Sequence, residues 1–459
     1  MVAAKKADFY AIAEKFHVDP VVARIIRNRE VIGEKNIRIY LGGNLSDLSD
    51  PHQMKDMDRL VEILVQKIRK QVRIRIIGDY DVDGVTSSHL FLTALRRVGA
   101  KVDVVIPHRI QDGYGLSLHL LQQAKEDGVD TILTCDNGIA AIDEIAWAKA
   151  QKMTVLVTDH HAVPFEEHEG RRTEKKSLAD AVVNPHQQDC GYPYKELCGA
   201  GVAWNVIRVL YENYDMDKRE AEDLLDFVAM ATVCDVMSLT GENRILVKEG
   251  LKRIRHTKNI GLQALMQACN VQPENISAYH FGYVLGPCVN ATGRLDTARH
   301  ALRLFETGQE TETEEIARDL VDLNQERKEL TLQGVEMAKK LCEEGGYEND
   351  PVLVLFLPDV HESIAGLIAG RIREMYNRPV FVLTRGEEGV KGSGRSTENY
   401  SMYENMCGCA ELFTKFGGHP MAAGLSLPEE NVEKFRRKIN ENCPLTVEEV
   451  CPDIHIDMA

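Results

Sequence analysis

The sequence predicts an α/β protein in which a parallel-sheet domain is joined by a long helix to a smaller α/β domain. Three observations predict it. Four short β-branched runs alternate with helical segments between residues 73 and 158. Residues 312–343 hold one glycine, Gly334, and no proline. A second strand–helix–strand pattern begins after Gly345-Gly346.

Taken in order, residues 1–70 read as a helical lead-in, with Leu60, Val61, Ile63, Leu64 and Val65 at helical spacing. A catalytic-type domain is expected over 71–310. Its runs are Arg73-Ile74-Arg75-Ile76-Ile77, Val102-Asp103-Val104-Val105-Ile106, Thr131-Ile132-Leu133-Thr134 and Thr154-Val155-Leu156-Val157-Thr158, with helices expected at 87–98 and 139–150. Strands and helices alternating at this spacing form βαβ units and a mainly parallel sheet. Residues 198–305 read as mostly helical. A connector helix is expected over 311–345, with Ile316, Leu320, Leu323, Leu330 and Leu341 on one stripe and a length of roughly 45 Å. The smaller domain spans 346–440, and 441–459 form a tail.

Composition excludes several classes. Hydrophobic residues make up 44% and charged residues 27%, which suits a chain with buried cores. No run approaches the ~18 apolar residues of a membrane helix, and Met1-Val2-Ala3-Ala4-Lys5-Lys6, with no apolar run behind it, does not read as a secretory signal. The net charge of −16 argues against a simple basic nucleic-acid binder, although a local basic groove on an acidic body is compatible with it. Residues 306–350 alone hold 14 acidic against 5 basic side chains. The 11 cysteines lack framework spacing, which points to a reducing, cytoplasmic setting.

The chemical signal lies where the strands stop. The first run ends in Asp79-Tyr80-Asp81-Val82-Asp83-Gly84, the third in Cys135-Asp136-Asn137-Gly138, and the fourth in Asp159-His160-His161. Ligands of open parallel sheets bind beyond the carboxyl ends of the strands. Asp235, on an otherwise apolar stretch, is a further candidate. Any one of these aspartates alone also suits a helix N-cap or a turn. So many carboxylates on one edge need cations to offset their repulsion and desolvation. Carboxylate with imidazole suits Mn²⁺ or Mg²⁺ better than structural zinc. Two such ions, ~3.5–4 Å apart and sharing a carboxylate, would activate water and neutralise a phosphoryl group. The residues thus read as a two-metal phosphoester hydrolase. Cys135 and Cys234 read as small buried hydrophobes, and Cys407-Gly408-Cys409 as structural.

Two glycine-rich segments, Lys391-Gly392-Ser393-Gly394-Arg395-Ser396 and Phe416-Gly417-Gly418-His419, read as turns able to bring backbone N–H groups and Arg395 to an anion. Asn290-Ala291-Thr292-Gly293-Arg294 could reach a phosphate. So could Arg109, with Tyr114 offering a stacking face.

These residues resemble the DHH phosphoesterase superfamily and, within it, the RecJ single-strand-specific exonucleases. The resemblance runs from near residue 10 to about 430. Asp79-Tyr80-Asp81-Val82-Asp83-Gly84 is similar to the first family motif, Asp136-Asn137-Gly138 to the second, Asp159-His160-His161 to the third and Asp235 to the fourth. Gly417-Gly418-His419 with Ala422-Ala423-Gly424 resembles the signature of the associated DHHA1 domain. The resemblance implies two Mn²⁺ or Mg²⁺ ions on Asp79, Asp81, Asp83, Asp136, His160 and Asp235, with Asp136 bridging. Asp159 would orient the histidines. His161, Arg294 and Asn290 would serve the scissile phosphate, and His419 would hold it from the DHHA1 side. Arg109, Ser393 and Arg395 would hold a 5′-terminal phosphate, which gives 5′→3′ polarity and mononucleotide products. A narrow cleft that excludes duplex is expected.

The implied role is single-stranded DNA exonuclease in repair and recombination, with single-strand-binding protein or a helicase as partners and no membrane. RecJ proteins usually continue after the second domain into an oligonucleotide-binding barrel, which would begin about where Ile454-His455-Ile456-Asp457-Met458-Ala459 stands; such a barrel supplies stacking and electrostatic grip on long strands. Two other readings compete. One is a short-oligonucleotide or cyclic-dinucleotide phosphodiesterase of the same superfamily. The other is a non-catalytic replication scaffold, which the intact motifs disfavour.

Overall fold

The computed structural model describes residues 7–109, 112–113, 115–168, 171–347, 350–386, 389–446 and 449–450. The chain divides into two compact units, residues 7–324 and the residues from 325 onward. The division falls within the helix Glu310–Glu344. Among the described residues, no helix is long and apolar enough to cross a membrane.

The first unit is built on β1 (Arg73–Ile77), β2 (Lys101–Val105), β3 (Thr131–Cys135), β4 (Thr154–Thr158) and a short strand, Ala181–Val183. A hairpin intervenes before that short strand, of β5 (Phe165–His168) and β6 (Arg171–Glu174), so Ala181–Val183 is β7. The sheet order is β2-β1-β3-β4-β7 with every pair parallel. Alternate residues of each strand face opposite layers. Ile74, Ile76, Leu133 and Leu156 join one core with the helices Met57–Arg69, Val82–Arg97 and Gly199–Glu212. Ile77, Ile132, Val155 and Val157 join another with the helices Leu118–Glu126 and Ile142–Ala150. Burial on both faces is why the central strands read as unbroken apolar runs.

Arg75 is the exception in β1. It is buried, yet its Nε donates to Asp103 at 2.7 Å and its Nη1 to Asp127 at 2.8 Å. The helix after β1 starts at Val82, ahead of the expected residue 87. Asp81 caps it by accepting from the Gly84 N–H at 3.0 Å.

The second unit contains β8 (Leu353–Phe356), β9 (Val380–Gly386), β10 (Gly389–Arg395), β11 (Lys415–Gly418) and β12 (Ala422–Leu427). Their order is β11-β12-β10-β9-β8; only β8 and β9 pair in parallel. Leu353, Leu355, Val380 and Val382 pack with the helix Glu362–Tyr376, and Val354, Phe381 and Leu383 with Phe435 and Ile439. The glycine-rich segments read as turns are corrected here. Gly392, Ser393, Gly394 and Arg395 lie within β10, and Gly417 and Gly418 within β11. Close packing sets the composition: a Cβ on Gly394 would lie 2.5 Å from the Met402 sulfur and 2.7 Å from the Phe381 ring.

One buried acid ties stability to pH. Asp226, on the helix Leu225–Cys234, accepts from Thr257 Oγ1 at 2.6 Å and from the Phe227 N–H at 2.8 Å. Burial outweighs these bonds and raises its pKa from 3.8 to about 6. The folded chain therefore holds this proton more tightly than the unfolded chain. The contribution is complete below the unfolded value and is lost as pH rises through about 6, with an upper limit of roughly 3 kcal/mol. Denaturant unfolding at pH 5 and pH 8 should show a smaller loss of stability in Asp226→Asn than in the parent chain. Equal losses in both would contradict the assignment.

Candidate active site

β1 and β3 are parallel neighbours, with Ile77 opposite Thr134. The chain leaves β1 for β2 on one side and β3 for β4 on the other. The sheet thus has its switch point between them, where departing connections open a crevice at the carboxyl ends. Asp79 and Asp81 follow β1, and Asp83 sits in the first turn of the helix that Asp81 caps. Asp136 follows β3, and Asp159, His160 and His161 follow β4. Asp235 is the C-cap of the helix Leu225–Cys234. Asp136 adopts φ 61°, the left-handed region, which an aspartate tolerates better than a β-branched residue. Gly199 makes room for it, since a Cβ there would lie 2.6 Å from the Asp136 Cβ.

Among the described residues, three overlapping groups result: Asp79 with Asp81 and Asp136; Asp83 with His160 and Asp235; and Asp136 with His160 and His161. Within each group the potential ligand atoms lie within 4.8 Å of one another. His160 Nε2 is 3.0 Å from Asp136 Oδ1 and 3.6 Å from both Asp83 Oδ2 and Asp235 Oδ2. Asp79, Asp83, Asp136 and His160 are buried.

The electrostatics of this cluster are adverse without a cation. Burial first, and the neighbouring carboxylates second, push Asp79, Asp81 and Asp136 up, and raise Asp235 to about 8. Burial likewise lowers the pKa of His160 and favours the neutral ring that a metal requires. Asp79 Oδ1 and His160 Nε2 are buried without a hydrogen-bond partner among the described residues. Buried polar atoms left this way, in a set of hard oxygens and imidazole, fit a divalent cation such as Mn²⁺ or Mg²⁺.

Besides Asp81, which caps its helix, Asp159 and Asp83 are already engaged. Asp159 Oδ1 accepts from the His160 N–H at 2.7 Å, the His161 N–H at 3.0 Å and His161 Nδ1 at 2.8 Å, while its Oδ2 accepts from the Ile139 N–H at 2.8 Å. Burial alone would raise its pKa, but the His161 bond and the backbone N–H groups hold it low. The same pairing overcomes the desolvation of His161 and raises it to about 9. Asp83 receives the Gly199 N–H at 2.6 Å and the Ala200 N–H at 2.8 Å, at the N-terminus of the helix Gly199–Glu212.

Cationic groups border the acids. The Arg109 guanidinium carbon lies 4.7 Å from the centroid of the Tyr80 ring, between Asp79 and Asp81 in sequence. Burial raises the Tyr80 hydroxyl pKa, and the charges of Arg109 and Arg294 oppose that rise; Gly293, next to Arg294 in sequence, packs on the Tyr80 carbonyl, where a Cβ would lie 2.4 Å from the oxygen. Asn290 Oδ1 accepts from the Val82 N–H at 3.1 Å and so braces the turn that carries Asp81 and Asp83. Tyr114 lies outside the described residues. In the second unit, Arg395 Nη1 donates to Ser393 Oγ at 3.2 Å and to the Gly394 carbonyl at 2.7 Å. His419 and Gly418 are exposed, Gly417 is half-buried, and the His419 N–H donates to the Ala422 carbonyl at 2.8 Å across the β11–β12 connection.

Sequence reasoning missed three contributors. Tyr80 supports Arg109 through its ring, and its place between Asp79 and Asp81 was the available signal. Asn137 Nδ2 donates to the Ile77 and Cys135 carbonyls at 3.0 and 2.8 Å and ties the ends of β1 and β3 together; its place inside the second motif was the available signal. The Gly199–Ala200 backbone holds Asp83 through N–H groups, which carry no side-chain signature.

Comparison with known proteins bears on this geometry. Residues 73–232 match the model of the DHH family, N-terminal domain, and residues 349–443 that of the DHHA1 domain. The chain is 36% identical over 440 residues to the single-stranded-DNA-specific exonuclease RecJ of Haemophilus influenzae, covering 92% of this chain and 74% of that protein. Against the Bacillus subtilis RecJ the identity is 33%, covering 98% of this chain and 56% of that one. The structure superposes on the Mn²⁺ complex of RecJ from Thermus thermophilus with a TM-score of 0.80 at 28% identity, over 96% of this chain and 61% of that chain. With its strand-end acids in place and its similarity extending over nearly its whole length, the chain belongs to the RecJ family of single-stranded-DNA-specific exonucleases.

Proposed function

We propose that the chain hydrolyses single-stranded DNA from its 5′ end, one nucleotide at a time, as a metal-dependent phosphodiesterase in DNA repair and recombination. The observation that carries this reading is the Asp136 carboxylate, which belongs both to an all-carboxylate group with Asp79 and Asp81 and to a carboxylate–imidazole group with His160 and His161, and so could serve two cations. Asp79, Asp81, Asp83, Asp136, His160 and Asp235 are the proposed holders of two Mn²⁺ or Mg²⁺ ions. When bound, the ions supply water activation and neutralise phosphoryl charge.

The other residues position and polarise. Asp159 fixes the His161 ring through Nδ1, so contact with the scissile phosphate or proton transfer falls to Nε2. Arg294 stabilises charge that develops on the phosphoryl oxygens. Asn290 acts through the turn it braces. Arg109, resting on Tyr80, is assigned to the 5′-terminal phosphate, and Tyr114, by its residue type, to base stacking. In the second unit, Ser393 and Arg395 are assigned to a 5′-terminal phosphate, and His419 with the Gly417 and Gly418 backbone to substrate phosphates. A cytoplasmic setting accompanies this role, as does supply of single strands by a helicase or a single-strand-binding protein.

Long single-stranded DNA labelled at either end, incubated with Mn²⁺ beside matched duplex and RNA, tests the proposal. It predicts early release of a 5′-labelled mononucleotide with the duplex spared. Release from the 3′ label first, or internal cutting, would contradict it.

Three variants probe the parts. Asp136→Asn keeps the left-handed backbone and should reduce kcat at least about 100-fold while circular dichroism is unchanged; hydrolysis near the parent rate would remove Asp136 from the centre. Asp159→Asn should lower kcat about 10–100-fold with Mn²⁺ affinity retained. Loss of Mn²⁺ binding in step with kcat would make Asp159 a ligand instead. Arg395→Ala should narrow the preference for 5′-phosphorylated over unphosphorylated strands, and an unchanged ratio in competition assays would exclude that role.

A further inference from the structure

Tyr279 and Tyr283 are 62% and 72% exposed, one helical turn apart. Their ring centroids are 5.2 Å apart, with planes 22° from parallel. They stand on a continuous helical run made of Ala278–His280, the π-helical turn Phe281–Leu285 and the helix Gly286–Leu295. Most of that run is packed away, with Phe281, Leu285, Cys288, Val289 and Ala291 buried. The less buried side carries Tyr279, Tyr283, Pro287, Asn290 and Arg294. One helix side thus leads from the stacked rings to the two residues that border the acid cluster. A second link is independent of the helix side. The Phe281 carbonyl, between the two tyrosines in sequence, accepts from the thiol of Cys234 at 3.3 Å, and Cys234 immediately precedes Asp235.

Two large rings held against each other in solvent bury little surface and add little to the fold. A π-turn is rare and tends to be kept where it positions function. Adjacent flat faces suit unpaired bases, which stack on aromatic rings whatever their sequence, whereas bases in duplex already stack on one another.

We propose that Tyr279 and Tyr283 form a stacking platform for unpaired bases of the strand a few nucleotides away from the scissile phosphate. The proposal rests on the nuclease reading and adds a chemical source of single-strand preference to it. Aromatic stacking, together with steric exclusion, then selects the substrate. The two tyrosines bind and position the strand; they take no part in bond breaking.

The test compares the Mn²⁺-loaded parent chain with Tyr279→Ala/Tyr283→Ala on a long single strand and on a dinucleotide too short to span platform and centre. The expected result is a rise in KM of about 10-fold or more for the long strand, with kcat and dinucleotide cleavage unchanged. Phe at both positions should restore KM, and Leu, which keeps apolar bulk without a π face, should not. Abasic nucleotides a few positions away from the scissile bond should raise KM for the parent and leave the Ala variant unaffected. An unchanged KM, rescue by Leu as good as by Phe, or equal sensitivity of both proteins to abasic nucleotides would overturn the proposal. Should the parent chain fail to cut single strands, the nuclease reading falls. The platform is then judged by 2-aminopurine fluorescence: quenching by the parent and not by the Ala variant supports it, and equal quenching overturns it.

Discussion

The structure depends on the mutual repulsion of carboxylates held in one water-poor crevice. Asp79, Asp81, Asp83, Asp136 and Asp235 converge there, and burial pushes four of them towards the protonated form. A fold would normally avoid that cost. It persists because the same adverse field becomes affinity once divalent charge enters: a cation replaces the protons the acids would otherwise hold, and binding releases them.

The surrounding architecture keeps the acids from relaxing apart. β1 and β3 are locked in parallel register, and Asn137 ties their ends through two backbone carbonyls. The helix Gly199–Glu212 presents its N-terminal N–H groups to Asp83, and the absence of a side chain at Gly199 lets Asp136 sit against it. Asp159 spends its lone pairs on backbone and on His161, so it orders the site without adding another uncommitted carboxylate. Val236, which follows Asp235, is 88% exposed and held at φ 58°, a conformation costly for a β-branched residue. That strain lies next to the acid that closes the cluster.

Much of this was legible in the sequence, for a physical reason. Parallel strands buried on both faces must be contiguous β-branched runs, and residues at their carboxyl ends must share an edge. Strand ends rich in Asp and His therefore mark a site through the order of residues alone. What was illegible has equally physical causes. β7 spans only Ala181–Val183, too short for a periodic pattern, and the β5–β6 hairpin is built largely of charged residues. The glycines of β10 read as turn formers, because composition does not separate a glycine needed for a turn from one needed under Met402 and Phe381. The bracing of Asp81 and Asp83 by Asn290, and of Asp83 by Gly199 and Ala200, joins residues more than a hundred positions apart. No local spacing encodes that.

The most direct test of the central claim is the number and coupling of bound metals. Calorimetric titration of the purified chain with Mn²⁺, followed by low-temperature electron paramagnetic resonance, reads both. The account predicts two ions per chain whose spins are coupled through a shared ligand, with the coupling abolished in Asp136→Asn. A single ion, or two uncoupled ions in the parent chain, would contradict it.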